Sequence, residues 1–152
     1  MIEHRGDIST VAEGLIIHQV NCQGVMGSGV AKALKEKYPQ MYEDYYRHAG
    51  QPFTQLEEGR YLLGDVVYTQ VTEDLAIACL FGQQYFGRDG RRYTSYDAQE
   101  IGLKTIRDDL RDHPGIKIHV PLLGAGLGGG DWSITQAIIH ATLGPDVNLW
   151  IL

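Results

Sequence analysis

The sequence predicts an α/β fold, a three-layer α/β/α sandwich around a mixed sheet of about six strands. Three observations predict it. Apolar runs of strand length alternate with helically periodic stretches in the order β-β-α-β-β-α-β-α-β. One of those runs, residues 15–20, is nearly continuously apolar, as a central strand covered on both faces must be, and residues 116–122 read as another buried strand. Each is followed by a glycine-rich loop and then a helix, so that in a parallel sheet both loops fall at the C-terminal edge where ligands sit.

The elements follow in order. Residues 1–5 read as a short strand closed by Gly6-Asp7, and residues 15–20 as the first central strand. A helix is predicted from Val30 to about His48, with Val30, Ala33, Leu34, Tyr38, Met41, Tyr42 and Tyr45 at helical spacing. Pro39 lacks an amide proton, so a break is expected there. Residues 60–71 and 75–81 read as adjacent strands, and residues 82–93 as a polar loop carrying Arg88, Arg91 and Arg92. A second long helix runs from residue 95 or 96 to 112, with Ile101, Lys104, Thr105, Ile106 and Leu110 expected near its inner side, and His113-Pro114-Gly115 ends it. Residues 116–122 make a strand and residues 131–143 a helix with Ile134, Ile138, Ile139 and Thr142 inward. Residues 147–152 make the last strand.

At 152 residues, with 43% hydrophobic and 21% charged side chains, the chain is expected to form one domain with a proper core rather than a disordered segment. A net charge of −6 argues against a broad electrostatic footprint on nucleic acid and leaves room only for a local basic patch. Cys22 and Cys79 stand in unrelated contexts, which gives neither a disulfide framework nor zinc spacing, and Cys79 reads as a small buried hydrophobe. No apolar stretch approaches membrane-spanning length and no signal-like segment opens the chain, so a cytoplasmic location is expected. A monomer that needs no cofactor or metal is expected as well.

The first glycine loop is Asn21-Cys22-Gln23-Gly24-Val25-Met26-Gly27-Ser28-Gly29, and the second is Gly124-Ala125-Gly126-Leu127-Gly128-Gly129-Gly130. Neither is a Walker A or Rossmann pattern. Glycine allows close backbone approach, so amide protons can converge on an anion, and a following helix N-terminus adds a favourable dipole. Two such loops point to one ligand with two phosphates, held by amides rather than lysines.

Several side chains stand beside the loops. His18 and Asn21 lie near the end of the first central strand. A core histidine and a routine turn asparagine are the plain alternatives to roles in the site. Asp7 and Asp131 each precede a helix or turn and fit N-caps as well as ligand contacts. Trp150 is either a core residue or a stacking platform for a base. Tyr42, Tyr45 and Tyr46 fit helix packing, and the three loop arginines fit either a solvated loop or a guide for phosphate or a macromolecular substrate.

Together the segments Gly6-Asp7-Ile8, Ile17-His18-Gln19-Val20-Asn21-Cys22-Gln23-Gly24, Met26-Gly27-Ser28-Gly29-Val30-Ala31, Tyr38-Pro39 and Pro121-Leu122-Leu123-Gly124-Ala125-Gly126-Leu127 resemble a macrodomain, the ADP-ribose-binding module, over essentially the whole chain. The His-x-x-Asn-Cys-x-Gly run, Cys79-Leu80-Phe81 and the aromatic-bearing C-terminus resemble one branch most. It holds the yeast-type ADP-ribose 1''-phosphate phosphatases and the terminal ADP-ribose protein glycohydrolases, with bacterial and phage relatives.

The resemblance implies that Asp7 accepts from the adenine amino group with the Ile8 amide assisting, and that Trp150 lies against adenine. It implies that Asn21 contacts the distal ribose, that Gly24, Val25, Met26, Gly27, Ser28, Gly29 and Val30 wrap that ribose and one phosphate, and that Leu123, Gly124, Ala125, Gly126, Leu127 and Gly128 hold the diphosphate from the other side. Where glycohydrolases of this branch have a lysine, this chain reads Gly82-Gln83-Gln84-Tyr85, and Gly128 stands where they have an acid. A lysine-based covalent route is therefore not expected. The matching His18 and Asn21 imply hydrolysis of ADP-ribose 1''-phosphate, with His18 as general acid or base or as a positioner of water, and Asp131 as a second acid/base candidate. A non-catalytic ADP-ribose reader and a lysine-free glycohydrolase acting on ADP-ribosylated protein or nucleic acid remain the alternatives.

Overall fold

In the computed structural model, which describes residues 1–50 and 62–152, six strands form one mixed sheet. They are β1 (Ile2–Arg5), β2 (Gly14–Asn21), β3 (Val66–Gln70), β4 (Leu75–Gln83), β5 (Ile118–Val120) and β6 (Asn148–Ile151). Their spatial order is β1-β6-β5-β2-β4-β3. All neighbours pair in parallel except β3, which runs antiparallel to β4 at the edge. The helices are α1 (Gly29–Lys37), α2 (Pro39–Ala49), α3 (Tyr96–Asp109) and α4 (Trp132–Leu143).

Alternation along the central strands divides the core into two layers. Ile16 and Val20 of β2, with Ile77, Cys79 and Phe81 of β4, pack against Leu34 of α1 and Met41 and Tyr45 of α2. Their neighbours Leu15, Ile17, Ala78 and Leu80 face Leu103 and Ile106 of α3 and Ile139 of α4. A side-chain period of two on strands buried on both faces produces this three-layer sandwich. It is the architecture the sequence predicted.

Pro39 does split the first helical stretch: it opens α2, where its missing N–H costs nothing, and Tyr38 closes α1 onto Leu34. The strand predicted over residues 60–71 is shorter. Its first two residues lie outside the described residues, and Leu62 to Asp65 form a turn in which the Asp65 amide bonds the Leu62 carbonyl. The strand predicted over residues 116–122 contracts to Ile118–Val120, because the Ile116 amide bonds back to the His113 carbonyl and Pro121 has no amide to offer. The inner face of α3 is also rotated from expectation. Ala98, Gln99, Gly102, Leu103 and Ile106 are buried while Ile101 is exposed. Gly102 sets that phase, since a Cβ there would lie 2.6 Å from Leu80 Cγ. On α4, Ile139 and Thr142 turn inward as expected, but Thr135 replaces Ile134, which is exposed.

Candidate functional site

The five parallel strands end at one edge of the sheet, and the loops leaving β2, β4 and β5 enclose a cleft of about 550 Å³ there. Its lining runs from Trp150 on β6, past the second and first glycine loops, to Phe86, Gly87 and Arg88 after β4. Of the ligand-binding residues expected from sequence, Asn21, Val25, Met26, Gly27, Ser28, Gly29, Val30, Leu123, Gly124, Ala125, Gly126, Leu127, Gly128 and Trp150 line this cleft. Asp7, Ile8 and Gly24 are not among its lining residues.

Polar contacts to α2 shape the first loop. Asn21 Oδ1 accepts from the Gln23 amide at 2.9 Å, and Nδ2 donates to the Val25 carbonyl at 2.9 Å. The fully buried Tyr45 hydroxyl donates to Asn21 at 2.8 Å and accepts from the Gly24 amide at 3.1 Å. The Tyr42 hydroxyl donates to the Gly24 carbonyl at 2.9 Å. Gly24 therefore has both backbone groups bound to tyrosines and acts as an anchor of the loop rather than a cleft wall. Asn21 has spent its amide oxygen on the loop and keeps one Nδ2 proton for a ligand.

A buried polar network supports the second loop. Gln19 Nε2 donates to Gln83 Oε1 and to Thr94 Oγ1, each at 2.9 Å. Gln99 Nε2 donates to Gln19 Oε1 at 2.8 Å, and Thr135 Oγ1 donates to Gln99 Oε1 at 2.8 Å. Thr94 Oγ1 donates to the Gly124 carbonyl at 2.8 Å. These contacts tie β2, β4, α3 and α4 to the loop, and a satisfied buried network of this kind is rigid. Gly124 fits only as glycine: its φ is +71°, and a Cβ would meet Gln99, Gln19 and Thr94 at 2.7–2.8 Å. Sequence reasoning did not find Gln19, Gln83, Thr94, Gln99 or Thr135. A glutamine inside an otherwise apolar central strand was the available signal.

At the β6 end, Trp150 is half-buried and stacks on His4 with ring centroids 4.5 Å apart. Its Nε1 donates to His119 Nδ1 at 3.0 Å, so His119 Nε2 carries the proton and donates to the Glu13 carbonyl at 3.1 Å. Asp7 is exposed and caps the short 3-10 turn Ile8–Thr10, accepting from the Ser9 amide at 2.9 Å, which holds its carboxyl below the usual range. Ile8 is buried in the core.

His18 lies in the cleft floor, 1% exposed, with Nε2 3.2 Å from Cys79 Sγ. The Cys79 thiol also lies 3.4 Å from Met41 Sδ, so its one proton has two acceptors in reach, His18 Nε2 and the thioether. No described residue bonds His18 Nδ1. Burial pushes the imidazole down to about 4, so it is neutral at pH 7 and is no proton donor there. Of the roles expected for His18, general acid or base or positioner of water, a ring neutral at pH 7 fits the base and the positioner. Asp131, the second acid/base candidate, is exposed, caps α4 by accepting from the Ser133 amide at 2.9 Å, and is not among the residues lining the cleft.

Among the described residues no group of three or more His, Cys, Asp or Glu side chains could hold a metal ion, and no helix is long and apolar enough to cross a membrane. A "DNA ADP-ribosyl glycohydrolase" from Mycobacterium tuberculosis is 28% identical over 90% of the chain, which spans only 37% of that relative's length. An "ADP-ribose 1''-phosphate phosphatase" from Meyerozyma guilliermondii is 25% identical, with 97% of this chain and 96% of the relative covered. A solved structure of a Bacteroides thetaiotaomicron protein of unknown function superposes with a TM-score of 0.83 at 29% identity, covering 99% of this chain and 97% of that one. The Macro domain family model matches residues 17–139, a span that includes both glycine loops and most of the cleft, and the chain belongs to the macro domain family.

Proposed function

We propose that the chain binds ADP-ribose in this cleft and hydrolyses ADP-ribose 1''-phosphate to ADP-ribose and phosphate. The observation that carries the reading is the convergence of both glycine loops and Trp150 on one cleft. Adenine lies against Trp150, the diphosphate lies between the loops, and the distal ribose lies toward Asn21 and the end of β4. The phosphatase relative, matched along nearly its whole length, supports the choice of reaction.

In the proposed reaction water attacks phosphorus and the bond to the 1''-oxygen breaks. Negative charge grows on the phosphoryl oxygens, where amides of the loops stabilise it. The leaving group is an anomeric hydroxyl, more acidic than an ordinary alcohol, so its departure leans less on a proton donor than a simple alkyl phosphate would. The neutral His18 contributes through Nδ1, its nitrogen without a partner, by placing a water or hydroxyl at the cleft floor. Phosphate release from ADP-ribose 1''-phosphate by the purified protein is the expected result. Tight ADP-ribose binding measured by calorimetry with no phosphate release would refute the phosphatase.

A second reading is favoured by Tyr85 and Phe86, both more than half exposed, of which Phe86 lines the cleft. Such aromatics suit a larger group attached to the distal ribose, as in a glycohydrolase acting on ADP-ribosylated macromolecules. Release of ADP-ribose from a modified oligonucleotide or peptide, without phosphate release from the 1''-phosphate, would select it.

A further inference from the structure

The loop between β4 and α3 carries three arginines that are not equivalent. Arg91 Nε lies 3.1 Å from the Asp89 carboxylate. The other oxygen of that carboxylate accepts from the Tyr93 hydroxyl at 2.8 Å. The Arg92 guanidinium stands 4.8 Å over the Tyr96 ring. Arg88 has no ion pair, hydrogen bond or ring contact among the described residues, and it is the one charged side chain among those lining the cleft. Its sequence neighbour Asp89, the natural counter-ion, is already engaged by Arg91 and Tyr93.

The loop is fixed rather than loose. The Tyr93 and Thr94 amides both donate to the Gly128 carbonyl, at 2.7 and 3.0 Å, which binds the loop to the second glycine loop. The Tyr93 ring closes over Gly87, where a Cβ would lie 2.3 Å from the hydroxyl. The segment from Phe86 to Asp89 is thereby folded so that Arg88 is left at the cleft. Strand order places it: β4 lies beyond β2, whereas Trp150 on β6 lies on the far side of β5. Arg88 thus stands at the end of the cleft opposite the aromatic platform.

We infer that Arg88 is a specificity-determining residue that holds an anionic substituent on the distal ribose, a terminal phosphate monoester. The inference rests on the ADP-ribose reading and adds to it the group that recognises what lies beyond the ribose. A third phosphate brought to a protein of net charge −6 meets an unfavourable field, and loop amides alone carry only partial charges. A guanidinium offers a planar, always-charged fork that matches phosphate oxygens. Among the described residues no carboxylate is paired with it that would have to be displaced.

The test is calorimetric binding of three ligands, ADP-ribose, a non-hydrolysable phosphonate analogue of ADP-ribose 1''-phosphate (the 1''-phosphate ligand below) and an ADP-ribosylated oligonucleotide, to wild type, Arg88→Ala, Arg88→Lys and Arg88→Glu. Wild type is expected to prefer the 1''-phosphate, and Arg88→Ala to lower that preference by about ten- to a hundredfold, the range of a lost charge-assisted contact. Arg88→Lys keeps part of the preference and Arg88→Glu reverses it. The affinity for the 1''-phosphate is expected to fall more steeply with salt than that for ADP-ribose in wild type, and Arg88→Ala to lose that extra fall. A merely structural role for Arg88 would move ADP-ribose and the 1''-phosphate together and leave their ratio unchanged, which overturns the inference. So does a loss confined to an ADP-ribosylated oligonucleotide, which would assign Arg88 to a macromolecular substrate. Wild-type protein that binds neither ADP-ribose nor the 1''-phosphate overturns the ADP-ribose reading itself, a result distinct from binding both without discrimination.

Discussion

Trp150 gives its indole proton to Nδ1 of His119 at 3.0 Å, and that bond fixes both the pose of the ring and the tautomer of the imidazole. Protonating His119 would set two donors face to face and release the tryptophan. Burial holds His119 below its ordinary 6.5, opposed by its bond to the Glu13 carbonyl; His4 and Lys117 lower it further and the Glu13 carboxylate raises it. The ring is therefore held at neutral pH and freed only below about 6.5. In a Trp132→Phe background, Trp150 fluorescence is expected to stay constant from pH 8 to about pH 6.5 and to change below it. His119→Phe should abolish the step and weaken ADP-ribose binding. A step centred above pH 6.5 would count against this account.

Tyr45 serves the first glycine loop from beneath. Tyr45→Phe leaves the Gly24 amide without its acceptor and takes one donor from Asn21, which keeps the Gln23 amide, in a site that water does not readily reach. Unsatisfied buried groups cost about 1–3 kcal/mol. A urea titration should show that loss, and ADP-ribose affinity should fall with it. Tyr42→Phe removes one donor to the Gly24 carbonyl, which is half-buried at that tyrosine, and should cost less.

His18 makes stability depend on pH. Its folded value near 4 lies below the 6.5 of the unfolded chain, so the unfolded state binds the proton first as pH falls. Stability is then intact above about 6.5, declines between 6.5 and 4, and levels off below 4 as far as this residue is concerned. The full effect is on the order of 3 kcal/mol. Denaturation midpoints measured across that range should fall steeply for wild type. They should fall less for His18→Met, which removes the titrating group while keeping bulk.

The three layers, six strands and both loops were legible because each rests on a local pattern: strand runs, helical spacing, and glycines after strands. What was not legible depends on contacts between distant segments. Gln19 and Gln99 meet 80 positions apart, and nothing near either residue announces the other. The phase of α3 was misread because Gly102, which sets it against Leu80, carries no hydrophobic signal. His18 and Asp131 were legible as candidates but not in their chemistry. Burial among Cys79, Met41 and the sheet decides the first, and a cap bond to Ser133 occupies the second. The unpaired state of Arg88 was hidden for a similar reason, since it depends on Asp89 choosing Arg91 and Tyr93.

The second loop contains glycines that exist for different reasons, and substitution separates them. At Gly124 the φ of +71° and contacts under 3 Å make alanine costly to the fold, by about 1–3 kcal/mol for strain and overpacking. At Gly126 no atom outside its neighbours lies within 4 Å of an added Cβ, and its φ is outside the left-handed region. Alanine there should leave stability unchanged or raise it by a few tenths of a kcal/mol, through the unfolded chain. Its methyl group nevertheless stands on a loop that lines the cleft, where a diphosphate has to meet bare backbone. Gly126→Ala is therefore expected to melt like wild type yet bind ADP-ribose at least about tenfold more weakly. Gly124→Ala is expected to lose both stability and binding. Equal, undiminished affinity in Gly126→Ala would mean that the diphosphate does not approach this loop.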